Sequence, residues 1–202
     1  KVAHTTMLGL ASEPAILLAD RLMKLVPQNL KKVFYSDAGA TATEIAFKLA
    51  AQYWYNIGQP EKHEFVGFTE AYHGDTTGAM SIGRTTAFHK PYFPLLFKVH
   101  FAPTPFPYRF APTCDCNNDV CSRTGCTPSS DVGTQCLSCL ERILEQHHER
   151  LAAVCIEPLV QGEGVAPGRT AKLIQKILQQ DFGLFRTAGW MDAGDGGEGD
   201  FL

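Results

Sequence analysis

No run of apolar residues in this 202-residue chain approaches the ~20 that a membrane-spanning helix needs. Neither sign of charge dominates. Eighteen Lys and Arg stand against 21 Asp and Glu, a net charge of −3, which argues against a nucleic-acid scaffold or a polybasic membrane surface. A leader of charged, then apolar, then small residues is missing, as is any repeat with a period of about 20–50 residues. There is no cysteine before Cys114. Six of the seven lie between Cys114 and Cys139, and Cys155 stands alone. A disulfide-stapled secreted domain would be shorter and would spread its bridges, so a cytoplasmic enzyme is expected. What is present is ordinary: 45% apolar and 19% charged residues, enough for one domain with a real core. The chain opens on Lys1 and reaches its first methionine at Met7, which predicts a segment of a longer protein.

The pattern alternates helix and strand. Ser12-Glu13-Pro14 reads as a helix start, with Ser12 as N-cap and proline in the first turn. Val33-Phe34-Tyr35 suits a short buried strand. A helix is predicted over 41–55, strands over 64–68, 95–101 and 152–156, and helices over 134–150 and 171–180. A proline- and cysteine-rich loop is expected over residues 103–133. Strands separated by helices imply a mostly parallel sheet, whose ligands bind at the carboxyl ends of its strands. Segments 36–41, 69–75 and 157–162 each follow a predicted strand. From Arg186 onward glycine alternates with Asp and Glu, which predicts a disordered or foreign tail over 186–202.

Each of the three segments carries candidate chemistry. Ser36-Asp37-Ala38-Gly39-Ala40-Thr41 is a small-residue entry to a helix. Either it cradles an anion on helix-start N–H groups, with Ser36 or Thr41 adding a hydroxyl, or it is simply a turn. In Ala71-Tyr72-His73-Gly74-Asp75-Thr76 the Tyr72 ring is placed to cover a flat cofactor, with Gly74 admitting close approach. The alternative is a turn with an aromatic packed on it. Glu157 in Ile156-Glu157-Pro158-Leu159-Val160-Gln161-Gly162 sits at the exit of a buried strand, as a site carboxylate or as half of a structural ion pair.

Taken together, Val33-Phe34-Tyr35-Ser36-Asp37-Ala38-Gly39, the 71–76 run and the 156–162 run resemble the class III, pyridoxal-phosphate-dependent aminotransferases. Gly9-Leu10, Glu13-Pro14-Ala15, Gln52-Tyr53-Trp54 and Pro107-Tyr108-Arg109-Phe110 add to the likeness, which covers about residues 1–164. It implies a partial fold-type-I large domain over 1–185 and a homodimer with sites at the interface. By motif, Gly39 and Ala40 would hold the pyridoxal phosphate phosphate group through backbone N–H groups, with Thr41 compensating for the serine that relatives carry at Ala40. Tyr72 would stack on the pyridine ring, His73 and Gly74 would shape that turn, and Asp75 would meet substrate. Glu157 would order the site, with Gln161 a lesser candidate. Asp75 points to the biotin-synthesis branch, which transfers an amino group from S-adenosylmethionine to 8-amino-7-oxononanoate. The resemblance implies no nucleic-acid or membrane partner.

The sequence also departs from the family. The aspartate expected beside the pyridinium nitrogen has no apolar strand leading to Asp192. The Schiff-base lysine is not found, and Lys172 and Lys176 lie on the wrong motif. These 202 residues alone are therefore expected not to transaminate. Cys114, Cys116, Cys121 and Cys126 are spaced either as a zinc site or, with only one Cys-x-x-Cys pair at Cys136 and Cys139, as a free-thiol insertion. Cys136, Cys139, Leu140 and Ile143 share a helical face directed to the core. His147 and His148 read as a solvated helix face. His4, His63, His89 and His100 show no ligand spacing, and the acidic tail lacks the order of a calcium loop.

Overall fold

Proline in a first turn, acid at a helix start and base at its end make the first element. The computed structural model describes residues 5–26, 30–83, 85–104, 132–157, 160–161, 164–165 and 185–188, which divide after Tyr35 into two units. In the first, α1 (Glu13–Leu25) carries Pro14 in its opening turn, Glu13 at its positive end and Lys24 at its negative end. Ser12 has the extended N-cap backbone, but its side chain makes no capping bond. No residue of α1 is buried. Residues 33–35 form no strand. Phe34 is 67% exposed, and the Tyr35 hydroxyl donates to the Ala15 carbonyl at 2.6 Å. Three apolar residues without a ladder partner make no strand here.

The second unit begins with α2 (Gly39–Asn56) and β1 (Glu64–Phe68). After α3 (Thr77–Gly83) come the short α4 (Thr86–His89) and a 3-10 turn, Lys90–Leu95. β2 (His100–Ala102), α5 (Val132–His147) and β3 (Leu151–Ile156) follow. A two-stranded antiparallel pair, β4 (Val160–Gln161) and β5 (Gly164–Val165), precedes β6 (Phe185–Ala188). The strand expected over 95–101 is thus only His100–Ala102. Pro91 and Pro94 hold the preceding residues in the 3-10 turn, where Leu95 is 68% exposed. β6 also takes in Arg186, Thr187 and Ala188, which the sequence reading assigned to the tail. The helix expected over 171–180, the tail after Ala188 and Cys114, Cys116, Cys121 and Cys126 lie outside the described residues.

The larger sheet has the order β2-β1-β3-β6, and every pairing in it is parallel. Val66 faces both His100 and Val154 in register, and Ala153 faces Phe185. Buried on both faces, β1 and β3 read as continuous apolar runs. Helix α2 presents Phe47, Ala50 and Trp54 to this core, and α5 presents Leu137, Leu140 and Leu144, the i, i+3, i+7 stripe of an amphipathic helix. Cys139 is also buried; the Cys136 side chain lies outside the described residues. The Trp54 indole N–H donates to the Ala152 carbonyl at 2.8 Å, and the Phe47 and Phe65 rings lie 5.0 Å apart.

The two edges of the sheet differ. At the amino edge, Glu64 at the start of β1 bonds His100 Nε2 at 2.6 Å and Arg150 Nε at 3.4 Å. Burial pushes the Glu64 carboxyl up, but the His100 hydrogen bond and the Arg150 charge outweigh it and leave it below its ordinary value. The His147 ring stacks on His100 with centroids 4.1 Å apart. His147 therefore packs on a buried neighbour and is not part of a solvated face, whereas His148 is exposed. At the carboxyl edge the chain diverges. The connection from β1 leads outward to β2, and that from the adjacent β3 leads the opposite way to β6. In open α/β sheets that divergence opens the crevice where ligands bind.

Candidate functional site

Two strand exits meet where the connections diverge. The turn after β1 brings Tyr72 beside the exit of β3, and the Tyr72 backbone N–H donates to Glu157 Oε1 at 3.0 Å. The turn is shaped by positive φ at Glu70 (58°) and Gly74 (120°). A Cβ at Gly74 would collide with the Ala40 side chain, so only glycine lets the turn settle against the first turn of α2. The Thr43 hydroxyl lies 3.1 Å from the Gly39 carbonyl and 3.2 Å from the His73 carbonyl, which joins the same two elements. Gly39, Ala40, Tyr72, His73, Gly74, Asp75 and Glu157 thus belong to one cluster.

The α2 entry does not follow a strand, contrary to the reading of 36–41. It follows a bend at Asp37 and Ala38, with the Ala38 backbone itself extended at φ −153°, ψ 162°. The first intrahelical bond runs from the Ala42 N–H to the Ala38 carbonyl at 3.0 Å. The N–H groups of Gly39, Ala40 and Thr41 are therefore the donors that helix geometry leaves over. Gly39 is exposed. The Thr41 hydroxyl accepts the Ala38 N–H at 3.0 Å and donates to Asp37 Oδ1 at 2.8 Å, which holds the Asp37 carboxyl below its ordinary value. It closes the helix cap, so a role in holding an anion would compete with those bonds. The Ser36 hydroxyl lies 3.3 Å from the Ala38 carbonyl.

The Tyr72 ring is 44% exposed and tethered at its far end, where its hydroxyl donates to Asp75 Oδ2 at 2.7 Å. That bond raises the Tyr72 phenol above its ordinary range and, together with a hydrogen bond from His89, lowers the Asp75 carboxyl. His73 is partly buried, and burial pulls its imidazole down to about 4. Its Nε2 lies 3.6 Å from Cys155 Sγ. Burial, then the nearby Glu157 charge, pushes the Cys155 thiol up to about 12. The two form a neutral thiol–imidazole contact and not an activated nucleophile, which would need a lowered thiol.

Sequence reasoning passed over Glu44 and read His89 only as a histidine without ligand spacing. Glu44 Oε1 accepts the Thr76 hydroxyl at 2.6 Å and the Gly78 N–H at 2.8 Å, capping α3 from a neighbouring helix. His89 is 1% exposed and its Nε2 lies 3.3 Å from Asp75 Oδ1. No local spacing marks either one, since their partners lie on other turns. The Gln161 side chain, Lys172, Lys176 and Asp192 lie outside the described residues. No group of three or more His, Cys, Asp or Glu among the described residues could hold a metal ion, and none of their helices is long and apolar enough to cross a membrane.

The fold is the α/β fold of the fold-type-I transaminases, with its parallel sheet. The family described as aminotransferase class III matches residues 1–179, and the chain belongs to it. It is 46% identical over 164 residues to the adenosylmethionine-8-amino-7-oxononanoate aminotransferase of Geobacter sulfurreducens, a match covering 81% of this chain and 34% of that protein. The crystal structure of the enzyme of that name from Methanocaldococcus jannaschii DSM 2661 superposes with a TM-score of 0.72 at 31% identity, over 92% of this chain and 37% of that one. An amine transaminase from an uncultivated Pseudomonas species, solved in its PLP-bound form, gives 0.73 at 26% identity, over 91% of this chain and 39% of that one. The chain spans about a third of the length of the curated relatives it matches.

Proposed function

We propose that this chain forms the phosphate-holding and ring-covering part of a pyridoxal-phosphate-dependent aminotransferase. Its reaction moves an amino group from S-adenosylmethionine to 8-amino-7-oxononanoate and yields 7,8-diaminononanoate for biotin synthesis. The observation that carries this reading is the meeting of the α2 start, the Tyr72 turn and Glu157 at one sheet edge, with Tyr72 N–H bonded to Glu157. The residues fit the cofactor. Leftover N–H groups at a helix start suit a phosphate, Gly39 leaves open space above it, and the half-exposed Tyr72 ring suits a flat heterocycle.

When bound, pyridoxal phosphate supplies an electron sink for the carbanion formed at the amino carbon. The N–H groups of Gly39 and Ala40 bind its phosphate, Tyr72 covers one face, and Gly74 lets the turn approach α2. Glu157 holds the Tyr72 backbone in place, His73 stays neutral beneath the turn, and Asp75 faces substrate. The amine-exchanging lysine belongs, on this reading, to the remaining two thirds of a protein of the relatives' length. The large domain takes in residues 1–185 and, through β6, Ala188. A homodimer in the cytoplasm goes with the same reading.

The test is product formation by the full-length protein with pyridoxal phosphate, 8-amino-7-oxononanoate and a panel of amino donors. 7,8-Diaminononanoate is expected with S-adenosylmethionine. Turnover of other ketones alone would move the protein to a different branch of the family, and no turnover with any donor would remove the assignment.

A further inference from the structure

His89 is almost fully buried at the end of α4, at 1% exposure. The Thr85 backbone N–H points at its Nδ1 from 3.2 Å. A backbone N–H can only donate, so Nδ1 accepts and the ring proton sits on Nε2. That proton faces Asp75 Oδ1 at 3.3 Å, and the other Asp75 oxygen accepts the Tyr72 hydroxyl at 2.7 Å. The Thr85 hydroxyl donates to the Ala71 carbonyl at 2.9 Å, so Thr85 and His89 grip the turn at both ends. The Tyr72 and His89 rings lie 6.1 Å apart, tilted by 27°. The Asp75 side chain is 71% exposed. An exposed carboxylate samples several rotamers unless something holds it.

We propose that His89 is a positioning residue: it fixes Asp75, and through Asp75 it fixes the Tyr72 ring in the orientation that covers a flat ligand. This rests on the reading that Tyr72 covers the cofactor. His89 touches neither cofactor nor substrate on this account. It acts at one remove, chiefly through the Asp75 carboxylate.

Two near-isosteric substitutions separate its two bonds. His89→Asn places a carbonyl oxygen near the Nδ1 position, keeping the Thr85 bond and losing Asp75. His89→Gln places an amide nitrogen near the Nε2 position and keeps the donor to Asp75. The full-length protein, labelled with carbon-13 at tyrosine rings, gives a readout without cofactor: the Tyr72 ring resonance. Pyridoxal phosphate affinity by equilibrium dialysis gives a second. In H89Q the resonance stays with wild type and affinity stays within about twofold. In H89N the resonance moves to that of Asp75→Ala and affinity weakens about tenfold. Equal behaviour of H89N and H89Q in the Tyr72 resonance, or an H89N resonance matching wild type, overturns the proposal. A wild-type protein that does not bind pyridoxal phosphate overturns the functional reading instead, while the resonance still decides the role of His89. Should H89N not fold, His89→Leu, which fills the buried site and loses the donor to Asp75, takes its place: its Tyr72 resonance must move to that of Asp75→Ala, and one matching wild type sinks the proposal.

Discussion

The backbone N–H of Tyr72 donates to the carboxylate of Glu157 at 3.0 Å, across 85 residues of chain. This bond ties the exit of β1 to the exit of β3. Removing the acceptor frees the Tyr72 turn, whereas an amide oxygen can still accept. Glu157→Gln should therefore keep cofactor affinity within about threefold, while Glu157→Ala weakens it about tenfold or more. Equilibrium dialysis of pyridoxal phosphate against the two full-length variants reads the difference. Equal losses would mean that Glu157 acts through its charge and not through this bond.

Gly74 combines a φ of 120° with a collision between any added Cβ and Ala40. Both effects oppose alanine. Gly74→Ala should destabilise the protein by about 2 kcal/mol or more and move Tyr72 away from α2. Urea unfolding midpoints check the first outcome. A variant as stable as wild type would show that the turn relaxes without this contact.

Burial holds His73 down to about 4, against an ordinary value of 6.5. The sign follows from which state takes the proton. Between pH 6.5 and 4 the unfolded chain protonates this histidine and the folded one does not, so protonation favours unfolding. The full contribution is present above pH 6.5 and declines as pH falls toward 4, by an amount on the order of 3 kcal/mol. Asp37, Glu64 and Asp75, whose carboxyls are lowered, lose their contributions as pH falls below the ordinary carboxylate range, which leaves the upper part of the window, toward 6.5, to His73. His73→Asn should flatten the stability profile there. An unchanged slope would assign the acid sensitivity to another group.

Cys155 is held protonated, its thiol raised to about 12 by burial and the Glu157 charge. Since the thiolate is the reacting species, iodoacetamide at pH 8 should leave Cys155 unmodified in the folded protein and label it in denaturant. Peptide mass spectrometry distinguishes the two. Rapid labelling under native conditions would place this thiol in contact with solvent.

Much of this architecture is written in local pattern. Phe65 to Phe68 and Leu151 to Val154 are continuous apolar runs because both faces of a central parallel strand are covered, and both were legible as strands. The helix of α2 was legible too, whereas its buried face of Phe47, Ala50 and Trp54 comes from the structure. Val33-Phe34-Tyr35 shows the limit, since a three-residue apolar run looks the same in a sheet or in solvent, and here Phe34 is exposed. In the candidate site, Gly39, Tyr72, Gly74 and Glu157 were visible as residues following predicted strands. Glu44 and His89 were not. Their partners, Gly78 and Asp75, lie 34 and 14 positions away, and only the packing of α2, α3 and α4 around the turn brings them together.

The most direct test of the central claim removes one phosphate donor without disturbing the helix. Gly39 is the first residue of α2, a Cβ there meets nothing within 4 Å, and Ala38 before it is extended, the backbone that precedes proline. Proline at this position keeps helix geometry and deletes one N–H. The measurement is the dissociation constant of pyridoxal phosphate for the full-length protein and for Gly39→Pro, with unfolding midpoints in parallel. About tenfold weaker binding at an unchanged midpoint is the expected result. Unchanged affinity in a folded G39P protein would contradict a phosphate site at the start of α2.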